Sequence, residues 1–141
     1  MNGYVDGDQH EIPYRNAFER AISLALTAGG TVILNEVRRS LRGGYRSSLG
    51  NKGQFVTGAS LAHVTLSLPR HQGGKWFISV GTDLDYNLFW EVGHHNLFTR
   101  HYERDEKWVP AFRRAHSPAL ATFRLVMNRE LKKGGTQGGT R

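Results

Sequence analysis

The chain has 141 residues, which suits a single domain that is large enough to bury its own hydrophobic core. It contains no cysteine, and this excludes disulfide bonds and thiolate metal sites. Lys and Arg outnumber Asp and Glu by 19 to 12, and the resulting charge of +7 favours phosphate backbones or acidic surfaces without specifying either.

Neither membrane insertion nor secretion is expected from the sequence. The apolar stretches are shorter than the roughly 18 residues that a membrane-spanning helix requires. The first eight residues are acidic and lack the apolar centre of a signal peptide. We therefore expect a soluble protein that is made and used inside a cell, or packed into a particle there.

A long helix is predicted over residues 13–41, because apolar residues recur there at helical spacing. Gly29 and Gly30 interrupt it, and a glycine in a helix interior costs about 1 kcal/mol relative to alanine. The apolar register resumes beyond them with Gly29 on the apolar face, which favours one helix that another element approaches closely. Two helices joined by a turn at these glycines are the alternative. The predicted apolar stripe consists of Tyr14, Phe18, Ile22, Ala25, Ile33, Val37 and Leu41.

An antiparallel hairpin is predicted in the middle of the chain. Residues 43–53 are rich in Gly, Ser and Arg and are expected to form a surface loop. Residues 60–68 and 75–80 alternate apolar and other side chains, as strands do. Turn residues over 69–74 separate them and favour a hairpin with one face on the long helix. The predicted apolar positions are Ala62, Val64, Leu66, Leu68, Trp76, Ile78 and Val80.

A short helix and an irregular excursion loop are predicted next. The helix should follow Tyr86, run to Val92 and stop at Gly93, since glycine is favoured just past a helix end. Residues 94–107 show no period of 2 or 3.6. A loop of that length in a compact domain is usually functional or lies against a partner.

The last predicted element is a helix that begins near Trp108 or Pro110. Pro118 lies inside it and predicts a kink, or a restart with Ser117 as the N-cap. Residues 134–141 have the Gly-rich composition of a flexible arm, so we expect one domain over residues 1–133 followed by that arm. The predicted buried stripe consists of Phe112, Ala115, Ala119, Phe123, Val126, Met127 and Leu131.

The predicted fold class is therefore α+β, with a long N-terminal helix and a C-terminal helix packed on a small antiparallel sheet, and a long excursion loop. No catalytic constellation, cofactor site or metal site is predicted. Glu91 with His94, His95 and His101 has the composition of a zinc site, but no second element offers a matching ligand pair and no HExxH motif occurs. Asp83 and Asp85 have the composition of nuclease metal ligands. A hydrogen bond from Asp83 to its own backbone in the turn, and a helix cap by Asp85, explain these residues better.

The order of several short motifs resembles one family over about residues 13–131. The motifs are Thr57-Gly58, Val80-Gly81-Thr82, Tyr86 with Glu91 and Gly93, and the segment 108–112 at the start of the last helix. Together they resemble the neck and tail-completion proteins of long-tailed bacteriophages, which are small minor-tail or head–tail joining proteins. Two departures are visible: Ser60 stands where the family usually has leucine, and the loop between Gly93 and Trp108 is longer than in compact members.

The resemblance implies a structural protein of a virion that is assembled in the host cytoplasm and forms a ring in the neck. By the same resemblance, the ring is expected to be sixfold. Its implied partners are copies of itself, a head-closure or connector protein, and a tail terminator or tail tube protein, with no membrane and no enzymatic activity. DNA passing through the ring is a further contact partner. A basic nucleic-acid-binding module is the alternative function.

Candidate interface residues follow from this hypothesis. A ring needs head-to-tail contacts between two different patches, and aromatic and Arg side chains suit such interfaces. The candidates for subunit or partner contact are Tyr86, Trp90, Glu91, Phe98, Arg100, Tyr102 and Arg104. The candidates for contact with DNA or an acidic partner are Arg38, Arg39, Arg42 and Arg46. The alternatives are a solvated loop, a solvated helix end, and a Tyr86–Glu91 segment that only holds the domain together.

Overall fold

The computed structural model describes residues 12–45, 58–95, 100 and 102–139. The described part confirms an α+β fold in which two long helices pack along each other and carry short antiparallel strands. The elements are α1 (Ile12–Arg42), α2 (Gly58–Ala62), β1 (Val64–Leu66), β2 (Arg70–Gln72), β3 (Lys75–Phe77), β4 (Val80–Thr82), α3 (Asp85–Val92), β5 (His94–His95), β6 (Tyr102–Glu103) and α4 (Trp108–Gly139).

Helix α1 is continuous through its two glycines, so the prediction of one helix is confirmed and the two-helix alternative is wrong. A Cβ atom on Gly29 would lie 3.1 Å from the carbonyl oxygen of Ala119 in α4. A Cβ atom on Gly30 would lie 2.7 Å from the Leu66 side chain and 3.3 Å from that of Ile78. The glycines therefore allow α4 and the β-hairpin to approach α1 closely, as the sequence predicted for Gly29.

The predicted hairpin is present, but it is divided into two ladders. Strand β1 pairs with β4, and β2 pairs with β3, both antiparallel. Between the ladders, the Ser67 N–H donates to the Ser79 carbonyl at 2.8 Å. The turn occupies only Gly73 and Gly74, whose φ angles of 61° and 76° fit the type I′ turn that suits a tight hairpin.

The prediction of a strand over residues 60–68 is wrong for the first part of that range. Residues 58–62 form the short helix α2, and the extended region begins only at Val64. The second strand, expected to end at Val80, instead continues through β4 to Thr82. Over as few residues as 60–63, the alternation of apolar and other side chains does not distinguish a strand from one turn of a helix.

The hydrophobic core lies where α1, β1, α3 and the start of α4 meet. Its buried members are Val37, Leu41, Tyr45, Val64, Trp90, Trp108 and Ala111. Tyr45 is fully buried although it falls in the predicted surface loop 43–53, so that part of the loop prediction is wrong. The rest of that loop, from residue 46 onward, lies outside the described residues.

Several residues that the apolar stripes placed in the core are instead exposed. Phe18 of α1 is 42% exposed, Leu68 after β1 is 82% exposed, and Phe112 of α4 is 37% exposed. Ala62 is also exposed. Periodicity identified the correct faces of α1 and α4 but not how much of each face a neighbour covers.

Helix α4 continues without interruption through Pro118, so the predicted restart at Ser117 is wrong. The helix also continues to Gly139, through most of the segment 134–141 that was expected to be an arm. Its buried residues Ala111, Ala115, Ala119 and Val126 face α1. Small side chains on this face allow the two long helices to pack closely.

The excursion loop 94–107 contains a short ladder that the sequence did not predict. Strand β5 pairs with β6, with His94 opposite Glu103 and His95 opposite Tyr102. Residues 96–99 and 101 at its tip lie outside the described residues. The described part of the loop is thus a two-stranded ladder that leads to the start of α4.

Helix α1 is long and apolar enough, over Asn16–Arg42, to cross a membrane by length and composition alone. This contradicts the expectation that no stretch would be long enough. The core helix of a soluble protein meets the same criterion, and α1 packs along α4 and against β1. One such helix is weak evidence for a membrane protein.

Candidate subunit interface

A groove with a volume of about 360 Å³ lies between the end of β4, helix α3 and the start of α4. Leu84, Leu88 and Phe112 contribute apolar surface to it, and Asp83 and Asp85 contribute carboxylates. Leu88 is 59% exposed and Phe112 is 37% exposed, so two large apolar side chains lie open to solvent here. An apolar depression beside carboxylates is a surface that suits a partner with apolar and basic groups.

Glu91 builds one wall of the groove by capping helix α4. One carboxylate oxygen accepts hydrogen bonds from the N–H groups of Lys107 and Trp108 at 2.8 and 2.9 Å. The other accepts from the Val109 N–H at 3.0 Å. A negative charge beside unpaired N–H groups at a helix N-terminus is stabilising. Glu91 is therefore engaged within its own subunit, and its predicted role in contacting a neighbour is not supported.

A buried network of hydrogen bonds joins the elements that line the groove. The Tyr45 hydroxyl donates to the Asn87 side-chain oxygen at 2.8 Å, and the Asn87 amide donates to the Thr82 hydroxyl oxygen at 3.1 Å. Asn87 is only 1% exposed, so these hydrogen bonds satisfy a side chain that would be costly to bury unpaired. They fix α3 against both the end of β4 and the segment after α1.

Asp83 and Asp85 form the acidic rim of the groove. The Asp83 carboxylate lies 2.5 Å from Nδ1 of His63, and this hydrogen bond holds the pKa of Asp83 below its ordinary value. Asp85 stands in the first turn of α3, where a negative charge is favourable. The hydrogen bond of Asp83 to its own backbone agrees with the turn explanation proposed for it. Asp85 is the first residue inside α3, and its predicted role as a helix cap stays a prediction. The Asp83 contact to His63 was not anticipated.

Trp90 is wrong as an interface candidate because it belongs to the core. It is 3% exposed and its ring stacks on Tyr45, with centroids 5.4 Å apart and an interplanar angle of 8°. The alternative weighed for this segment, that its aromatic residues hold the domain together, describes Trp90 correctly. The side chain of Tyr86 lies outside the described residues, although its backbone is part of α3.

The candidate residues in the excursion loop differ in the contacts that they make within the subunit. Tyr102 is 59% exposed, and its hydroxyl donates to the Val92 carbonyl while its ring crosses Gly93. Arg104 donates through Nε to the Glu91 carbonyl at 2.9 Å and pairs with Glu106. Arg100 is exposed and has a φ angle of 58°. Phe98 lies outside the described residues.

Two of the basic candidate residues at the end of α1 already make contacts within their own subunit. Arg38 donates to the Val64 carbonyl at 3.3 Å, and Arg39 pairs with Glu36 at 2.9 Å. Arg42 is exposed, and Arg46 lies outside the described residues. Of the four, Arg42 is the described residue best placed to meet an acidic partner or DNA.

Glu36 joins the two long helices at this end of the molecule. Its carboxylate accepts from Nε of Arg114 in α4 at 2.7 Å, as well as from Arg39. The hydrogen bonds from Arg114 and Arg39 hold the pKa of Glu36 below its ordinary value. This interhelical ion pair was not predicted, because nothing in the sequence indicates that positions 36 and 114 meet.

The hypothetical zinc site gains no support. Within residues that the structure describes, no three His, Asp or Glu side chains lie close enough together to hold a metal ion. The side chains of His94, His95 and His101 lie outside that set, and the carboxylate of Glu91 already accepts three backbone hydrogen bonds.

No protein-family model matches this chain, and no curated protein or solved structure matches it either. The similarity to neck and tail-completion proteins therefore depends on the order and spacing of the short motifs in the chain itself.

Proposed function

We propose that the protein is a structural component of a tailed phage or phage-like particle, where copies of it form a ring in the neck that joins the head to the tail. Motif order suggests this role, and the folded chain has the expected long helices, hairpin and short α3. The observation that carries the proposal is the separation of charge along the chain into an acidic and a basic part.

The acidic part is the region around the groove and the excursion loop. Residues 83–106 contain six of the twelve Asp and Glu residues of the protein but only two of its nineteen Lys and Arg residues. Residues 37–82, which include the end of α1 and the β-hairpin, contain seven Lys and Arg residues and no acid. A subunit whose chain separates the two signs of charge in this way suits head-to-tail association, the kind of contact that closes into a ring.

The exposed apolar side chains support assembly as well. Leu24 of α1 is 42% exposed, and Leu120 and Leu125 of α4 are 39% and 69% exposed. Together with Leu88 and Phe112 beside the groove, they leave large apolar groups on several faces of a small protein. These side chains are available for contact with neighbours in an assembly.

A nucleic-acid-binding module remains the second candidate because of the charge on α4. The helix carries Arg113, Arg114, Arg124, Arg129, Lys132 and Lys133, against one acidic residue, Glu130. Glu130 is paired with Arg129 and Lys133. Non-specific DNA binding by such a helix would weaken steeply with salt, because phosphate contacts release counterions. In the proposed ring, the same helix would face an acidic neighbour or the DNA passage.

The two candidates differ in what the purified full chain does without DNA. Native mass spectrometry and sedimentation velocity should show a closed oligomer of one defined size for a ring protein. Binding of a monomer to duplex DNA, lost as salt is raised, without self-association would favour the nucleic-acid-binding module.

The neck location needs a test in particles. Antibodies against the chain should label the junction between head and tail of particles isolated from cells that carry its gene. If those particles lack the protein, or if it labels another part of them, the proposed location is wrong.

A further inference from the structure

The hairpin formed by β2 and β3 has few contacts with the other described elements, and we call residues 68–77 the arm, a segment separate from the Gly-rich C-terminal residues 134–141. Strands β2 and β3 pair with each other and pack extensively on no other described element. All three residues of β2 are exposed, and so is Lys75. An isolated two-stranded hairpin is only marginally stable, and apart from its continuation into β1 and β4 the arm has few contacts, which leaves its surface open to a partner.

The arm presents an ordered aromatic and basic surface. His71 stacks on Trp76 with ring centroids 4.7 Å apart, and Arg70 lies over the Phe77 ring at 5.0 Å. Leu68, at its root, is 82% exposed. Trp and Arg are the residues most often found as the energetic anchors of protein interfaces, and rings already held in place lose little freedom on binding.

The groove has the complementary properties. Its open apolar side chains are Leu88 and Phe112, and its rim carries Asp83 and Asp85. The arm has no acidic residue, whereas the groove lining has no Lys or Arg. Apolar surface on both sides and opposite charges at the edges are what a specific contact requires.

The arm and the groove lie at opposite ends of the same hairpin. The tip of the arm is the turn at Gly73 and Gly74, while β4 ends at Thr82 beside the groove. The nine steps from Gly74 to Asp83 span roughly 30 Å when extended, at about 3.3 Å per residue. The tip of the arm therefore lies far along the hairpin from its own groove, which leaves the groove of another copy as the complement that it can reach.

We propose that the arm of one copy docks into the groove of the next copy, a contact that rests on the proposed ring function and specifies how the ring is joined. Trp76 and Leu68 of the arm cover Leu88 and Phe112 of the neighbour. Lys75 approaches Asp85 at the rim. Because the two surfaces differ, the contact is head-to-tail, and every subunit uses both of them.

A thiol cross-linking experiment tests this contact cleanly because the natural chain has no cysteine. Lys75→Cys and Asp85→Cys place single thiols on exposed sites of the arm and the rim. The two full-length variants are mixed in equal amounts and treated with a short bismaleimide. The mixture should form a covalent dimer at least about tenfold faster than a mixture of Lys75→Cys with Lys132→Cys, because docking raises the local thiol concentration. Lys132 is exposed on α4, away from the groove.

A chain that carries both thiols should give a ladder of covalent multimers that ends at the size of the ring. Equal rates in the test and control mixtures would overturn the proposal, whatever oligomer the natural protein forms. A closed oligomer without cross-linking between positions 75 and 85 would leave the ring function standing and reject this contact. Cross-linked chains without a closed oligomer would support the contact and reject the ring.

A charge exchange provides a second measurement. Lys75→Glu alone and Asp85→Lys alone should each reduce head-to-tail association at least about tenfold, since each places like charges opposite each other. Combining both substitutions in one chain should restore association, because the pair is re-formed with reversed polarity. Failure of the combined variant to recover, with circular dichroism showing that it is folded, would count against the proposal.

Discussion

The Glu91 carboxylate accepts a 2.9 Å hydrogen bond from the backbone N–H of Trp108, the first residue of α4. A side chain from α3 therefore caps a helix that begins 17 residues later in the chain. This hydrogen bond joins the residues before and after the excursion loop, and it fixes the position of the part of α4 that lines the groove.

Removal of this cap should destabilise the fold. Glu91→Ala leaves three N–H groups without their acceptor, and we expect a loss of about 2 kcal/mol in the free energy of unfolding. For a domain of this size, thermal unfolding should move down by roughly 4–8 °C, measured by circular dichroism or calorimetry. Glu19→Ala, at an exposed position on α1, is the matched control and should change little. Equal stability of the two variants would contradict the capping role.

The contact of Gly29 with α4 should make this glycine resistant to substitution. Gly→Ala in a free helix interior stabilises by about 1 kcal/mol. Here the new Cβ meets a backbone carbonyl oxygen at 3.1 Å, so we expect Gly29→Ala to lose that gain and Gly29→Leu to destabilise by about 3 kcal/mol. Urea unfolding measures both. Gly43→Ala is the control, since nothing lies within 4 Å of its added Cβ.

The buried pair of Tyr45 and Asn87 should show energetic coupling. Tyr45→Phe keeps the ring that stacks on Trp90 but removes the donor to Asn87, and we expect a cost of about 1–3 kcal/mol. Asn87→Ala should also destabilise. The double variant should lose less than the sum of the two, by at least about 0.5 kcal/mol in a denaturant-based cycle. Simple additivity would show that the hydrogen bond contributes nothing specific.

Stability should depend on pH through Glu36. Its pKa is lowered in the folded protein by Arg114 and Arg39, so the ionised form is favoured by folding. The resulting stabilisation is fully present above the ordinary Glu pKa of about 4.3, and it disappears as pH falls through the lower folded value.

Glu36→Gln tests this linkage. At pH 7 the variant should be less stable than the natural protein by about 1 kcal/mol, a modest amount because the Arg partners are half exposed or more. The difference should shrink as pH is lowered through the acidic range in a series of urea titrations. A difference that stays constant with pH would mean that the loss comes from packing rather than charge.

The helices were the part of the fold that the sequence predicted best. The continuity of α1 through Gly29 followed from the apolar register on both sides of the glycine, and the face of α4 followed from its apolar stripe. Periodicity is a local property, and it is decisive for elements of about 30 residues. It fails for short ones, which is why residues 58–62 were expected to be extended.

The candidate site was predicted less well because its geometry depends on pairings between distant residues. Tyr45 was assigned to a surface loop by the Gly- and Ser-rich composition around it, yet it lies in the core beside Trp90. Nothing near Glu91 in the sequence reveals that its partners are the N–H groups of α4. The exposure of Leu88 and Phe112 depends on what the neighbouring elements leave uncovered. The absence of acidic residues over 37–82 was the available signal for a basic surface.

The two adjacent glycines of α1 serve different neighbours, since Gly29 touches α4 and Gly30 touches the root of the β-hairpin. Consecutive residues on a helix project about 100° apart, so this one step along α1 sets the angle between the other two elements. A bulkier residue at position 30 would therefore displace Leu66 and Ile78 at the root of the hairpin, while the contact of α1 with α4 at Gly29 is left in place.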